Sequence, residues 1–233
     1  MNKMTKKILP IARIVFVLAV PALIISGVVN IFIGSTSLYK YGFNKYNISQ
    51  VTNISRDQLD EAAVAMSGYL KGQSNTPQIS VNMSGEETLL YNSKELTHLA
   101  DVRGITDVFR IVLIASIILL LAVGVVLYIT QSAGTLIKSL SYGAILTLLF
   151  TGIVVIWAII DFDSLFYLFH ILSFNNDLWL LDPTRDYLIM MFPQGFFRDA
   201  ALMLIGTIIL GALLLLVASR IMQKRFTGKP GNA

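Results

Sequence analysis

Cysteine is absent from the sequence, histidine occurs only twice, and charged residues are scarce. Without cysteine the chain forms no disulfide bond and cannot itself be a lipid-modified lipoprotein. Charged residues make up 14% of the chain and hydrophobic residues 55%, and the mean hydropathy is +0.70. This composition excludes a water-soluble domain and indicates an integral membrane protein.

Four segments lack Asp, Glu, Lys, Arg and His over lengths that can cross a bilayer, which requires roughly 20 residues of helix. None shows the alternation of a membrane β-barrel strand. We therefore predict an all-α integral membrane protein with a single membrane domain over residues 1–233. The predicted transmembrane helices lie at about 14–38, 111–130, 139–160 and 200–219.

Acidic residues are missing from one predicted side of the membrane. Residues 1–13, the link before the third helix and residues 220–233 contain Lys and Arg but no Asp or Glu. By the positive-inside rule we expect both termini in the cytoplasm and the loops at 40–110 and 161–199 outside. Basic residues against anionic lipid head groups account for the net charge of +4, so we expect no nucleic-acid partner.

The first outer loop is too long to be a simple connection. It follows Tyr39 and an aromatic stretch of the kind that suits a membrane interface. Ser55 has capping-box spacing and opens an amphipathic helix that stops at Gly72, and residues 78–84 alternate as in a strand. We predict a small mixed α/β extracellular cap.

The end of this loop, "YNSKELTHLADVRG", contains the first histidine. Ser93 is predicted to cap a helix that brings Glu95, His98 and Asp101 onto one face. A carboxylate bonded to one imidazole nitrogen fixes the tautomer and leaves the other nitrogen to accept a proton. Arg103 is expected to restrain Asp101. The alternative is a solvated helix with ordinary surface charges.

The second outer loop contains His170 in a strongly aromatic segment that is interrupted by acidic residues and prolines. Asp182 and Pro183 suit the N-cap and first position of a short helix that ends before Pro193. We predict an interfacial aromatic segment, and the alternative is a plug that only packs the bundle. The side chains expected to contact acyl chains are Trp179, Phe192, Phe196 and Phe197.

Both histidines thus lie at the predicted outer end of the membrane, near carboxylates. Two imidazoles there can serve as base and acid in proton transfer on a lipid-embedded substrate. One alternative is a metal hydrolase in which Glu95, Asp101 or Asp182 joins the two histidines. Another is a non-enzymatic transporter, channel or receptor, although the predicted membrane helices contain no ionisable residue.

Two motifs resemble the lipoprotein intramolecular transacylase family of Gram-positive bacteria, known as Lit. The first is Glu-x-x-His-x-x-Asp-Val-Arg at residues 95–103, and the second is Phe-His-x-x-x-Phe-x-Asn-Asp-x-Trp-x-Leu-Asp-Pro at residues 169–183. The resemblance implies transfer of the sn-2 acyl chain of a diacylglyceryl-modified lipoprotein to the α-amino group of the same cysteine. The expected product is a lyso-form lipoprotein.

The same resemblance implies catalytic roles for His98 and His170, one as base and the other as oxyanion partner or acid, with a transient acyl-imidazole as the alternative. It implies no cofactor, and the partners are lipoproteins and membrane lipids at the outer leaflet of a Gram-positive plasma membrane. We select as supporting residues Glu95, Asp101, Arg103, Asn175, Asn176, Asp177 and Asp182, and as substrate- or lipid-binding residues Tyr39, Phe174 and Trp179.

Overall fold

The computed structural model describes residues 3–83 and 85–227. Along this part of the chain the elements are α1 (Lys3–Ile33), α2 (Thr36–Lys45), α3 (Ile48–Thr52), α4 (Arg56–Leu70), β1 (Ser80–Met83), β2 (Glu86–Leu89), α5 (Ser93–Thr130), α6 (Ala133–Ile160), α7 (Phe162–Ser173), α8 (Tyr187–Met191) and α9 (Gln194–Thr227). The helices α1, α5, α6 and α9 are long and apolar enough to cross a membrane. The prediction of four transmembrane helices in an all-α membrane protein is confirmed.

The first long helix differs from the predicted 14–38 segment at both ends. It begins before residue 14 and ends at Ile33, because Ser35 starts a new helix. The Ser35 hydroxyl accepts a hydrogen bond from the backbone N–H of Leu38 at 3.2 Å, as an N-cap does. The predicted membrane segment extended to residue 38, and its last residues, beyond Ser35, therefore belong to α2.

The helix that carries His98 is the first part of α5 and not a separate helix. Its N-cap is Asn92, whose side-chain oxygen accepts from the N–H of Glu95 at 3.0 Å, while the Glu95 carboxylate accepts from the N–H of Asn92 at 2.7 Å. This is a reciprocal capping box, so the predicted cap at Ser93 is wrong by one residue. At 38 residues α5 is roughly 57 Å long, well beyond a bilayer core of about 30 Å.

The chain divides into two compact units, where the sequence suggested one domain with two loops. Unit 1 comprises residues 1–28, 109–156 and 204–233. In its described part, Phe16, Val20 and Leu127 form a buried core. Gly143 permits close helix contact there, because a Cβ atom at this position would lie 2.5 Å from the Cβ of Val20.

Unit 2 comprises residues 29–108 and 157–203 and therefore contains both predicted outer loops. Its core includes Phe43, Leu59 and Met191, each at most 1% exposed. Ser55 caps α4 as predicted, accepting from the N–H of Gln58. The predicted strand is β1, and it pairs with β2 in an antiparallel hairpin. The small mixed α/β unit is confirmed, although the sequence did not indicate β2.

The short helix near Pro193 begins later than predicted. It is α8, and the residue before it is Asp186, not Asp182. The Asp182 carboxylate instead accepts from the N–H of Thr184 at 2.9 Å and from the Thr184 hydroxyl at 2.7 Å. These two bonds stabilise a turn at Pro183 and lower the pKa of Asp182. The proline therefore belongs to a turn and not to the first position of a helix.

Candidate active site

His170 lies on the buried side of α7, which otherwise exposes apolar side chains such as Leu172. Its ring nitrogen Nδ1 lies 2.7 Å from the carbonyl oxygen of Phe166. Because a carbonyl only accepts, Nδ1 is the donor, and the neutral ring keeps its lone pair on Nε2. Burial lowers the pKa of His170 from its ordinary value of 6.5, so this ring favours the neutral form.

His98 lies in the second turn of α5 and is 7% exposed. Its Nδ1 is buried, and no atom of the described residues forms a hydrogen bond with it. Among the described residues Glu95 and Asp101 bond to other groups and not to His98, so the prediction that one of them holds a ring nitrogen is wrong. Both carboxylates have other partners, so the orientation of the His98 ring depends on packing.

The ring of Phe174 contacts both histidines. Its centroid lies 5.0 Å from that of His98 and 5.7 Å from that of His170. The two imidazole centroids are thus no farther apart than the sum of these distances, close to the separation of roughly 10 Å expected for a shared substrate. The ring centroid of Trp179 lies 4.7 Å from that of His170. Helix α5 supplies His98, α7 supplies His170, and the segment after α7 supplies Phe174 and Trp179, so these elements form one aromatic site with two imidazoles.

Glu95 links the start of α5 to α8. Its carboxylate is 1% exposed and accepts from the backbone N–H of Leu188 at 2.6 Å as well as from Asn92. The Asn92 amide in turn donates to Asp186 at 2.9 Å, and Asp186 accepts from the N–H of Asp182 at 2.8 Å. We call Asn92, Glu95 and Asp186 the carboxylate clamp.

Asp186 is 2% exposed and was missed by the sequence analysis. Its position immediately before the apolar helix "YLIMM" is a local signal that could have marked it as a helix-start residue. Nothing in the local sequence, however, indicates its bond to Asn92. The clamp fixes the chain after Trp179 against the turn of α5 that precedes His98.

Asp101 contacts the aromatic segment directly. It accepts a hydrogen bond from the side-chain amide of Asn176 at 2.9 Å. Arg103 does not restrain Asp101 as predicted, because its guanidinium donates to the carbonyl of Ser74 at 3.0 Å and lies 4.9 Å from the ring centroid of Tyr69. Among the predicted supporting residues, Asp101 and Asn176 therefore form a pair.

The model of the lipoprotein intramolecular transacylase Lit family matches residues 14–197. The chain belongs to the Lit family. It is therefore an acyltransferase that performs intramolecular transacylation. Both histidine motifs lie inside the matched region, which confirms the resemblance deduced from them. A comparison with curated protein sequences gives no significant match.

Solved structures of Lit from Bacillus cereus have the same fold as this chain. One has a TM-score of 0.82 and 24% sequence identity, and covers 96% of this chain and 100% of that chain. A variant with a histidine replaced by arginine has a TM-score of 0.77 at 23% identity, covering 96% of each chain. A variant with alanine at that histidine has a TM-score of 0.79 at 23% identity, covering 97% of this chain and 98% of that chain.

Several aromatic residues lie elsewhere in this Lit chain than predicted. Tyr39 is 6% exposed and packs at 5.5 Å from the ring of Phe192, and its hydroxyl donates to the carbonyl of Ile33. Burial raises the pKa of Tyr39. Phe192 and Phe196 are also core residues of unit 2, so these three do not face acyl chains. Phe197 remains 37% exposed.

The remaining predicted residues of this Lit chain lie at the surface. Asn175 and Asp177 are exposed on either side of Asn176, and Asp182 forms the turn described above. Within residues 3–83 and 85–227, no three His, Asp or Glu side chains are grouped as metal ligands. The carboxylates that a zinc site would have required have other partners, since Glu95 bonds to backbone N–H groups and Asp101 to Asn176.

Proposed function

We propose that His98 and His170 act together to move the sn-2 acyl chain of a diacylglyceryl-modified lipoprotein onto the α-amino group of its own lipidated cysteine. The observation that supports this proposal is the burial of both imidazoles around the ring of Phe174. They are the only histidines of the chain and come from distant parts of the sequence.

His170 is the general base in this proposal. The Phe166 carbonyl holds Nδ1–H, so Nε2 is unprotonated and has a fixed direction. The burial that lowers the pKa of His170 keeps the ring available as a base near neutral pH. An α-amino group has a reference pKa of roughly 7.7 to 8.0, so the imidazole is suited to take its proton during attack on the ester carbonyl.

His98 stabilises the oxyanion, and His170 completes the proton transfers. Attack forms the amide C–N bond and breaks the ester C–O bond, and the departing glycerol oxygen requires one proton. The proton that His170 removed from the amine passes to that oxygen, which restores the original protonation states. Burial lowers the pKa of His98 to about 4, so this ring is neutral and acts as the oxyanion partner. An ester is exchanged for a more stable amide, so the reaction needs no cofactor. The Nδ1 of His98 is buried, so Nε2 is the nitrogen that can bond to substrate oxygen.

The lipid-embedded substrate reaches the site beside α7. This helix exposes Tyr167, Ile171 and Leu172, the last of them at 76%, around the buried His170. Such a surface suits acyl chains, because a diacyl lipid leaves the bilayer only at a large free-energy cost. We place the two predicted outer loops at the outer leaflet of a Gram-positive plasma membrane and both termini in the cytoplasm, as the basic residues of the predicted cytoplasmic segments favour.

The test uses purified protein in nanodiscs with a diacylglyceryl lipopeptide that carries an isotopically labelled sn-2 chain. Substrate and product have equal mass, so tandem mass spectrometry must locate the label on nitrogen. We expect His98→Gln and His170→Gln to lower the rate by about 10²-fold or more. Thr97→Ala, an exposed neighbour of His98, is the matched control. A folded variant of either histidine that keeps the wild-type rate would refute the two-histidine mechanism.

The same assay distinguishes direct transfer from a transient acyl-imidazole. In direct transfer, rapid acid quenching during the first turnover yields no labelled protein. A labelled acyl group on wild-type protein that is absent from one histidine variant would assign that residue as a nucleophile and replace the base role proposed for it.

A further inference from the structure

A second site of distinct chemistry lies in unit 1. An open groove of about 940 Å³ is lined by residues 9–18 of α1, by Thr130 and Gln131 where α5 ends, and by Tyr142 of α6. Ile14, Val17 and Leu18 form its apolar part, and Ile14 and Leu18 are 60% and 57% exposed. Arg13 is its one charged lining residue. The groove therefore combines a long apolar surface with a single cation.

The guanidinium of Arg13 is fixed in place but not neutralised. Its Nε donates to the Ser139 hydroxyl at 3.1 Å, and its central carbon lies 5.5 Å from the ring centroid of Tyr142. Among the described residues no carboxylate lies within ion-pair distance of Arg13, and none accepts from its two terminal nitrogens. Arginine stays charged at any physiological pH. Arg13 directly precedes the predicted membrane segment that starts at about residue 14, so its guanidinium is expected at the level of the lipid head groups.

We propose that this groove binds one anionic glycerophospholipid, with its phosphate on the terminal nitrogens of Arg13. The planar guanidinium presents paired N–H donors that match phosphate oxygens. One acyl chain lies along Ile14, Val17 and Leu18, and Gln131 is placed to donate to the head group. The volume lies within the range of roughly 300–1,000 Å³ of small-molecule sites, enough for a head group and the first part of a chain.

Charge supports a lipid over an apolar protein partner. The predicted cytoplasmic segments, including residues 1–13 and 220–233, contain no acidic residue. Basic segments of this kind attract the anionic lipids that concentrate in the cytoplasmic leaflet. The proposal is independent of the acyl-transfer mechanism, since none of the groove residues belongs to unit 2.

Native mass spectrometry of the full chain, released from nanodiscs that contain phosphatidylglycerol and phosphatidylcholine, tests the site. The wild type should retain one phosphatidylglycerol in preference to phosphatidylcholine. Arg13→Gln should weaken this binding by about tenfold or more, as expected for loss of hydrogen bonds to a charged group. Lys138→Gln removes the same charge from an exposed residue outside the groove and should retain the lipid.

A second variant tests the groove independently, in case Arg13→Gln does not fold. Leu18→Trp narrows the groove without removing the cation and should also weaken phosphatidylglycerol binding. Equal lipid retention by folded wild type and either groove variant overturns the proposal. So does displacement of the lipid by millimolar inorganic phosphate, which would assign a simple anion site, or a protein dimer that occupies the groove in place of lipid.

Discussion

The side-chain amide of Asn176 donates a hydrogen bond to the carboxylate of Asp101 at 2.9 Å. This bond joins the segment after α7 to the helix that holds His98, one turn beyond that histidine. Both side chains are at least partly accessible, so the bond adds little to global stability. The bond instead holds the segment that follows α7 and His170 against α5, which carries His98.

We therefore expect Asn176→Ala to lower kcat by about tenfold with little change in the thermal midpoint, because small misplacements of catalytic groups are costly. Asp101→Ala should have the same effect, and the double variant should be no worse than either single one. Asn175→Ala, at an exposed adjacent site, is the matched comparison. Additive losses in the double variant would mean that the two residues act separately.

The carboxylate clamp predicts a loss of stability and not only of rate. The two oxygens of the Glu95 carboxylate accept hydrogen bonds from the backbone N–H groups of Asn92 and Leu188. In Glu95→Gln one of these oxygens becomes an NH2 group, which cannot accept, so one of the two hydrogen bonds is lost. Loss of such a buried bond costs about 1–3 kcal/mol. We expect a lower thermal midpoint in detergent, with loss of activity.

Asp186→Asn provides the comparison at the other end of the clamp, because it leaves both backbone bonds of Glu95 in place. It should cause a smaller drop in the thermal midpoint than Glu95→Gln does. An unchanged midpoint in Glu95→Gln would show that the clamp does not hold α5 against α8.

The pH dependence of the rate follows from the burial of His170, which lowers its pKa below 6.5. A base must be unprotonated, so the loss of rate due to His170 should begin only below pH 6.5, beneath the limb that the substrate α-amine gives near its reference pKa of roughly 7.7 to 8.0. Single-turnover rates measured across buffered nanodisc samples would show this limb. If His170→Gln, at its lower residual rate, kept the same acid limb below pH 6.5 as the wild type, a different group would be the base.

The same pKa shift affects stability in a defined direction. Below pH 6.5 the imidazole of the unfolded chain binds a proton that the buried His170 resists, so the unfolded state holds more protons. The free energy of unfolding should therefore fall as the pH drops below 6.5. Thermal midpoints of His170→Gln should depend less on pH over this window than those of the wild type.

Topology is testable because the chain has no cysteine of its own. A cysteine at Gln73, which is exposed, should react with a membrane-impermeant maleimide in intact cells. Gln73 is preferable to Gly72, whose φ of 75° favours glycine. A cysteine at the exposed Ser132, between α5 and α6, should react only after lysis. The reverse pattern would invert the proposed orientation.

Local sequence signals predicted the elements whose causes are local. Runs without charged residues predicted the four membrane helices, and the capping-box spacing at Ser55 predicted the start of α4. The partner of Glu95 could not be found this way, because the backbone N–H of Leu188 has no residue-type signature. Hydrophobicity also fails to distinguish a ring that faces lipid from one that packs a core, which is why Phe192 and Phe196 were placed wrongly.

The bond between His170 and the Phe166 carbonyl has an evolutionary consequence. Every amino acid carries the same main-chain oxygen, so exchange of the side chain at 166 cannot delete the acceptor that selects the tautomer. In enzymes where a carboxylate performs this task, one codon change is enough to abolish it. In this protein the tautomer of His170 depends on the helical backbone of α7, so among substitutions at position 166 only a residue that breaks the helix, such as proline, displaces the carbonyl acceptor.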